Sequence, residues 1–428
     1  MNNKKVELLS PAGNLEKLKI AIKYGADAVY AGVSHFSLRI RAGKEFTFET
    51  FKEGIDYAHA RGKKVYATIN GFPFNSQIEL LKKHIETMAS LEPDGFIVAA
   101  PGVVKLCREI APQIDIHLST QANVLNYLDA QVFWDMGVTR IVVAREISLK
   151  DVIEIKKHLP DMEIEIFVHG SMCFAYSGRC LVSAVQMGRV PNRGSCANDC
   201  RFEYTLYAAS EDHGTLFRLE EEPGVGTYIF NSKDMNLASH IKEILDSGAV
   251  DSLKIEGRTK SPYYAAVTAK AYRSAIDDYY DDTFEASKYQ RELYTTKNRG
   301  FTDAYLVHRP FEKTDSQNHE YALSKGSYEV TGLVTEDEEH FLCKYKVYPN
   351  QDIEIFTPKN EVLEVCENEI GKIFKKDDLY YINFKKILTE SNKELESVHS
   401  GNVNKIKLPG KLPYLTMFRV ENITDFVE

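Results

Sequence analysis

Four of the chain's seven cysteines, Cys173, Cys180, Cys196 and Cys200, fall within 28 residues, in the run HGSMCFAYSGRC…GSCANDC. Soft thiolate ligands select zinc or an iron–sulfur cluster. The spacing is C-x6-C-x15-C-x3-C. Structural zinc sites bring their ligands in as tight C-x2–4-C pairs, and only the second pair here is that close. The pattern therefore favours an iron–sulfur cluster, with zinc as the alternative and a disulfide or chance grouping behind both. His169 lies four residues before Cys173, so a cysteine–histidine nucleophile is a further reading. That dyad needs one thiol and leaves the other three unexplained.

Charged groups at two further places have the same potential for chemistry: Arg145–Glu146, and Lys254, Glu256 and Arg258. Each group follows an apolar strand-like run, RIVVAR and VDSLKIEG. A charged side chain at a strand's exit must face a pocket or find a partner. Ser10, Asn70, Ser119, Thr120, Gln121, Asn123 and His169 occupy similar places after other such runs. For any single Ser, Thr or Asn among them, capping or turn hydrogen bonding is the plainer reading.

The elements that would position these groups alternate along the first 300 residues. Short apolar runs (VELLSPAG, AVYAGV, KKVYATIN, DGFIVAA, DIHLSTQ, RIVVAR, EIEIFVHG) alternate with amphipathic stretches of helical period. Gly25, Gly62 and Gly137 sit where helix C-caps belong, and Ser148 where an N-cap belongs. The eighth run, VDSLKIEG, follows a turn-rich acidic excursion, ASEDHGTLFRLEEEPGVGTY, read as a loop or hairpin. Eight strands with helices predict a TIM-like (β/α)8 barrel, whose chemistry sits at the C-terminal ends of the strands. No G-x-G-x-x-G follows a strand, which removes the usual dinucleotide-binding alternative. The cysteine segment follows strand seven, so the thiols and the charged groups belong to one face.

From residue 326 the pattern changes to short strands separated by turns, predicting a small C-terminal β-barrel. The expected domains are residues 1–318 and 319–428. Cys107, Cys343 and Cys366 read as apolar filler. The chain is 43% hydrophobic and 27% charged, as globular proteins are, and has no run of 18 apolar residues to cross a membrane. No signal peptide is evident at the start. The cytoplasm is the expected compartment, and its reducing chemistry disfavours disulfides. A net charge of −9 argues against a generally basic nucleic-acid coat but leaves room for a local basic patch.

The segments LLSPAGNLEKLKIAIKYGADAVYAG, LSTQANVLN, VVAREISL, EIFVHGSMCFAYSGRC and SLKIEGRTKSPYYAA resemble peptidase family U32, the collagenase-like peptidases. The likeness runs from residue 6 to about 305, and the β-rich tail fits the family's C-terminal domain. The family name implies proteolysis, yet no H-E-x-x-H or G-x-S-x-G motif is present. The barrel plus one small β-domain is similar to the branch that hydroxylates tRNA. That resemblance implies a 4Fe–4S cluster on the four cysteines and conversion of wobble uridine to 5-hydroxyuridine. It also implies tRNA as substrate and prephenate as a small-molecule partner, and it leaves room for a homo-oligomer or for pairing with a second family member.

On this reading the catalytic candidates are His169, Arg145, Glu146, Lys254 and Glu256. Arg39, Arg41, Asn70, Ser119, Gln121 and Arg258 are the substrate-binding candidates. Bidentate arginines suit the carboxylates of prephenate, which nominates Arg39, Arg41 or Arg145, with Lys254 and Arg258 beside them. The competing reading pairs Arg145 with a barrel carboxylate, Glu165 or Glu256. Arg179, Arg189, Arg193 and Arg201 surround the cysteines and suit RNA phosphates or simply a solvated basic loop. The remaining alternatives are a U32-type peptidase and a non-catalytic RNA-binding protein that holds zinc.

Overall fold

A computed structural model describes residues 5–33, 36–37, 46–173, 175–191, 196–202, 207–209, 216–218, 231–307, 316, 318 and 326–421. They fall into two compact units, one within Met1–Ile22, Ala26–Gln290 and Asn298–Ser324, the other within Lys23–Gly25, Arg291–Lys297 and Lys325–Glu428.

In the first unit, seven apolar runs form parallel strands, each followed by a helix. They are β1 (Glu7–Pro11), β2 (Ala28–Ala31), β3 (Lys64–Ile69), β4 (Gly95–Val98), β5 (Asp115–Leu118), β6 (Arg140–Val142) and β7 (Glu163–Ser171). The first six helices are α1 (Leu15–Lys23), α2 (Phe48–His59), α3 (Ile78–Ser90), α4 (Pro101–Ile110), α5 (Tyr127–Asp135) and α6 (Leu149–His158). The short α7 (Val182–Met187) lies in the cysteine segment. The acidic excursion contributes an antiparallel hairpin, β8 (Tyr207–Ala209) with β9 (Leu216–Arg218). After it come β10 (Asp234–Asn236), α8 (Ile241–Asp246), β11 (Ser252–Ile255), α9 (Pro262–Tyr280), α10 (Ala286–Tyr294) and β12 (Phe301–Thr302).

Strands β1 to β7 pair in sequence order, and β11 closes the ring by pairing in parallel with both β7 and β1. This is the expected (β/α)8 barrel. The strands are buried along nearly their whole length because helices cover the outside and side chains fill the inside. Ser148 caps α6 by accepting from the Asp151 N–H, and Gly25, Gly62 and Gly137 follow their helices with φ of 113°, 66° and 86°. One departure from the simple barrel bears on the site. β7 runs on past the ring, and its last residues pair antiparallel with β10, His169 opposite Asn236.

Gly170 sits at that fork with φ 116°. A Cβ there would lie 2.3 Å from the Glu256 carbonyl oxygen, so both the backbone angle and the close approach require glycine.

The second unit contains a curled eight-stranded antiparallel sheet. Its strands are β13 (Tyr328–Val334), β14 (His340–Cys343), β15 (Asp352–Phe356), β16 (Cys366–Glu367), β17 (Gly371–Lys376), β18 (Leu379–Phe384), β21 (Ile406–Lys407) and β22 (Met417–Glu421), with the two-stranded β19 (Ile387–Leu388) and β20 (Glu394–Leu395) beside them. Phe341, Phe384 and Phe418 centre one apolar core. Cys107 and Cys343 are buried as expected; Cys366 is half-buried and packs against that core. No helix among the described residues is long and apolar enough to cross a membrane.

Candidate active site at the mouth of the barrel

A pocket opens at the C-terminal ends of the strands. Its floor is charged. Lys254 on β11 donates to Glu165 on β7 at 2.6 Å, and Arg140 on β6 reaches the other Glu165 oxygen at 3.1 Å. Arg140 also pairs with Glu163 and with Glu7, and Glu7 accepts from the Tyr66 and Ser252 hydroxyls at 2.7 and 3.1 Å. A chain of alternating charges thus rises through the barrel and ends at Lys254. Burial pushes the Glu165 carboxyl up, but the charges and hydrogen bonds of Lys254 and Arg140 outweigh it and hold its pKa below the usual value.

The walls carry the expected polar residues. Asn70, Ser119, Gln121, Arg145, Glu256 and Arg258 all line the pocket, with Thr120 beside them. Arg145 lies 3.5 Å from Glu256 and 4.0 Å above the Phe167 ring, so of its two proposed partners it takes Glu256, while Glu165 goes to Lys254 and Arg140. Arg258 donates to the Ser37 and Thr68 hydroxyls at 2.7 and 3.0 Å. The Gln121 side-chain oxygen is buried and has no hydrogen-bond partner in the pocket wall.

The cysteine segment supplies the rest of the lining, with Cys173, Cys180, Cys196 and Cys200 all facing the same pocket. Three clamps hold it there. Both Glu146 oxygens accept from Ser177, one from its N–H and one from its hydroxyl, each at 2.7 Å. The Arg179 guanidinium donates to the Gln121 carbonyl at 2.8 and 3.0 Å. Ser183 on α7 accepts from the Ala197 N–H at 3.1 Å, tying the first cysteine pair to the second.

The sulfurs are placed to accept backbone hydrogen bonds. Val182 N–H reaches Cys180 Sγ and Asn198 N–H reaches Cys196 Sγ, both at 3.4 Å. Burial raises the Cys200 thiol, Arg201 pulls against that, and the other three cysteines add to the rise. Among the described residues no three His, Cys, Asp or Glu side chains converge on a single-ion site. A cluster of several irons spreads its thiolates wider than one zinc ion does, and four thiols on one pocket wall with amide donors behind them are a donor set suited to it.

Two predicted catalytic residues are elsewhere. His169 is absent from the pocket lining; its buried ring packs among Tyr264, Tyr272 and Phe301, with Nδ1 3.3 Å from the Tyr272 hydroxyl. Burial lowers its pKa to about 3, the Asp234 charge opposing, so it is neutral. Glu146 is likewise absent from the lining and is engaged with Ser177. Ser10 and Asn123 also lie off the lining. Arg39, Arg41 and Arg193 fall outside the described residues. Sequence reasoning missed Tyr30, Thr68 and Phe167 as pocket walls. Tyr30 and Thr68 lie next to the last residues of β2 and β3, which was the available signal, whereas Phe167 lies in the middle of β7.

Fold and site define a (β/α)8-barrel protein whose mouth is covered by a four-cysteine segment over a cationic floor. The chain belongs to peptidase family U32, whose model matches residues 13–316. It is 65% identical over 416 residues to the tRNA hydroxylation protein P of Helicobacter pylori, covering 97% of this chain and 99% of that one. It is 39% identical to the Escherichia coli protein of the same name, covering 86% and 90%. A protein named Collagenase from Porphyromonas gingivalis is 31% identical over 72% of this chain and 75% of its own length.

Proposed function

We propose that this chain is a cytoplasmic iron–sulfur enzyme that hydroxylates the wobble uridine of tRNA to 5-hydroxyuridine, with prephenate as a small-molecule partner. The observation that carries the reading is the 65% identity, over nearly the full length of both chains, to a protein named for tRNA hydroxylation. Cys173, Cys180, Cys196 and Cys200 would hold a 4Fe–4S cluster. Such a cluster supplies one-electron transfer when bound, with all its irons ligated.

The chain's own residues account for binding and orientation. Arg145 and Arg258 offer guanidinium groups to a dicarboxylate, and Lys254 adds a buried cation at the floor. The Gln121 side-chain oxygen, without a partner among the described residues, and the Ser119 hydroxyl suit the hydrogen-bonding edge of a flipped uracil. The four-cysteine segment lines the pocket beside them.

Mass spectrometry of tRNA nucleosides from a deletion strain tests the activity. Loss of 5-hydroxyuridine is expected, and unchanged nucleosides overturn it. Metal analysis of anaerobically purified protein tests the cofactor: iron is expected, and zinc without iron overturns it.

The family name and the Collagenase relative favour peptidase activity as a second reading. Among the described residues no histidine, the base a cysteine peptidase uses, lines the pocket. Gelatin cleavage by the purified chain would reinstate it.

A further inference from the structure

The cysteine segment differs in composition from the rest of a chain of net charge −9. Residues 173–202 contain four arginines and one aspartate, a net charge of +3. The aspartate, Asp199, is buried, whereas Arg189 is exposed and Arg201 lines the pocket. The same stretch exposes large apolar side chains: Tyr176 by 49%, Leu181 by 66%, Val185 by 81%, Met187 by 55% and Phe202 by 47%. Large apolar side chains exposed along one short stretch of chain point to an interaction surface.

Tyr176 lies between the pocket-lining Ala175 and Ser177, and Phe202 follows the pocket-lining Cys200 and Arg201. Arg179 is committed to the Gln121 carbonyl, and Arg189 is an exposed cation of the described stretch.

We infer that this stretch is the docking platform for a single-stranded RNA loop. Tyr176 and Phe202 stack on bases flanking the one that enters the pocket, and Arg189 contacts a phosphate. The positive charge selects a polyanion over a neutral or acidic partner. The two rings select unstacked bases over a duplex, whose bases are already stacked. A pocket sunk in a barrel mouth likewise reaches a base only when it is extruded. The inference rests on the proposed RNA hydroxylation and deepens it by naming the surface that holds the loop.

The test uses anaerobically purified full-length protein and a fluorescein-labelled RNA hairpin with a uridine-containing loop, with a loopless duplex for comparison. The wild type is expected to bind the hairpin more tightly than the duplex. Tyr176→Ala and Phe202→Ala should each weaken hairpin binding roughly 10-fold at fixed salt. Arg189→Ala should reduce the slope of log affinity against log salt by about 0.7, the value for one phosphate contact on a single strand. Melting temperature and iron content should not move, because all three side chains are exposed.

Unchanged affinity and slope in all three variants, with the wild type binding, overturns the docking surface. So does a change in sedimentation without a change in affinity, which makes the patch a self-association face. A deletion strain whose tRNA is unaltered overturns the docking surface together with the proposed function. If that strain loses 5-hydroxyuridine and all three variants restore it fully, the docking surface alone falls.

Discussion

Lys254 Nζ lies 2.6 Å from Glu165 Oε1 inside the barrel, with both side chains buried. The pair links the cross-barrel network of Glu7 and Arg140 to the pocket floor, where the ammonium also sits 4.5 Å from the Tyr30 ring centroid. The ammonium lines the pocket with a fully buried carboxylate behind it. The pocket therefore presents positive charge without admitting a water-solvated lysine.

Lys254→Met leaves Glu165 buried with Arg140 as its remaining cation. Breaking a buried pair from one side costs about 3–5 kcal/mol, and Arg140 should hold the loss near the lower figure. The double variant Lys254→Met/Glu165→Gln removes the stranded charge and should recover at least about 1 kcal/mol of it. Urea unfolding of the wild type, of Lys254→Met and Glu165→Gln singly, and of the double variant measures the coupling. Additive losses would mean that Glu165 is satisfied without Lys254.

His169 makes stability depend on pH. Its pKa is about 3 in the native state against an ordinary value of 6.5, so below 6.5 the unfolded chain binds a proton that the native chain refuses. The stabilisation is whole above pH 6.5 and is lost progressively as pH falls toward 3. The slope approaches about 1.4 kcal/mol per pH unit. Between pH 7 and 5 the wild type should therefore lose about 2 kcal/mol from this residue. His169→Gln should show a slope smaller by about one proton, whatever its absolute stability. Equal slopes in the two proteins would show that His169 titrates normally.

Gly170→Ala should be costly even though alanine adds one carbon. The φ of 116° alone costs a non-glycine residue about 1–3 kcal/mol. The added Cβ must also displace the Glu256 carbonyl from 2.3 Å. Because Glu256 is the partner of Arg145, the displacement reaches the pocket wall. A lowered melting temperature is expected, with ligand binding weakened beyond what stability explains. A melting temperature within 2 °C of wild type, on the usual scale of about 2–4 °C per kcal/mol for a domain of this size, would refute the strain.

The barrel was legible because strand length, helical period and glycine caps all pointed the same way along the first 300 residues. The pocket was legible for the same reason. Once eight strands are placed, the residues that follow them must share one face, and Asn70, Ser119, Gln121, Arg145, Lys254, Glu256 and Arg258 do. Two kinds of information were hidden. The Lys254–Glu165 pair depends on the register of β7 against β11, Lys254 opposite Phe167, between residues 89 apart in sequence. His169 stands at a register irregularity between β7 and β11, Lys254 opposite Phe167 and Ile255 opposite His169, and it also pairs with Asn236 of β10 while its ring packs against Tyr264 and Tyr272 of α9. Glu146 has the composition of a catalytic acid and the position of a clamp, a difference that only its contact with Ser177 reveals.

That clamp yields the last prediction. Glu146 accepts two 2.7 Å hydrogen bonds from Ser177, a buried residue held at φ 43° midway between Cys173 and Cys180. Glu146→Ala strips both acceptors, and an unmet buried N–H and hydroxyl cost about 1–3 kcal/mol. The cost is local, because the Arg179 and Ser183 contacts still tie down the rest of the segment and the barrel core is untouched. The segment should thus open about 10-fold or more often while the melting temperature scarcely moves. Limited proteolysis between residues 174 and 195 should accelerate by that factor, since cleavage tracks the open population when reclosing is fast. The iron retained after purification should fall with it. Glu146→Gln keeps one oxygen for the Ser177 N–H and offers an amide that the hydroxyl can turn to accept, so it should behave nearly as wild type. Proteolysis of the alanine variant at the wild-type rate would show that the cysteine segment stands without the clamp.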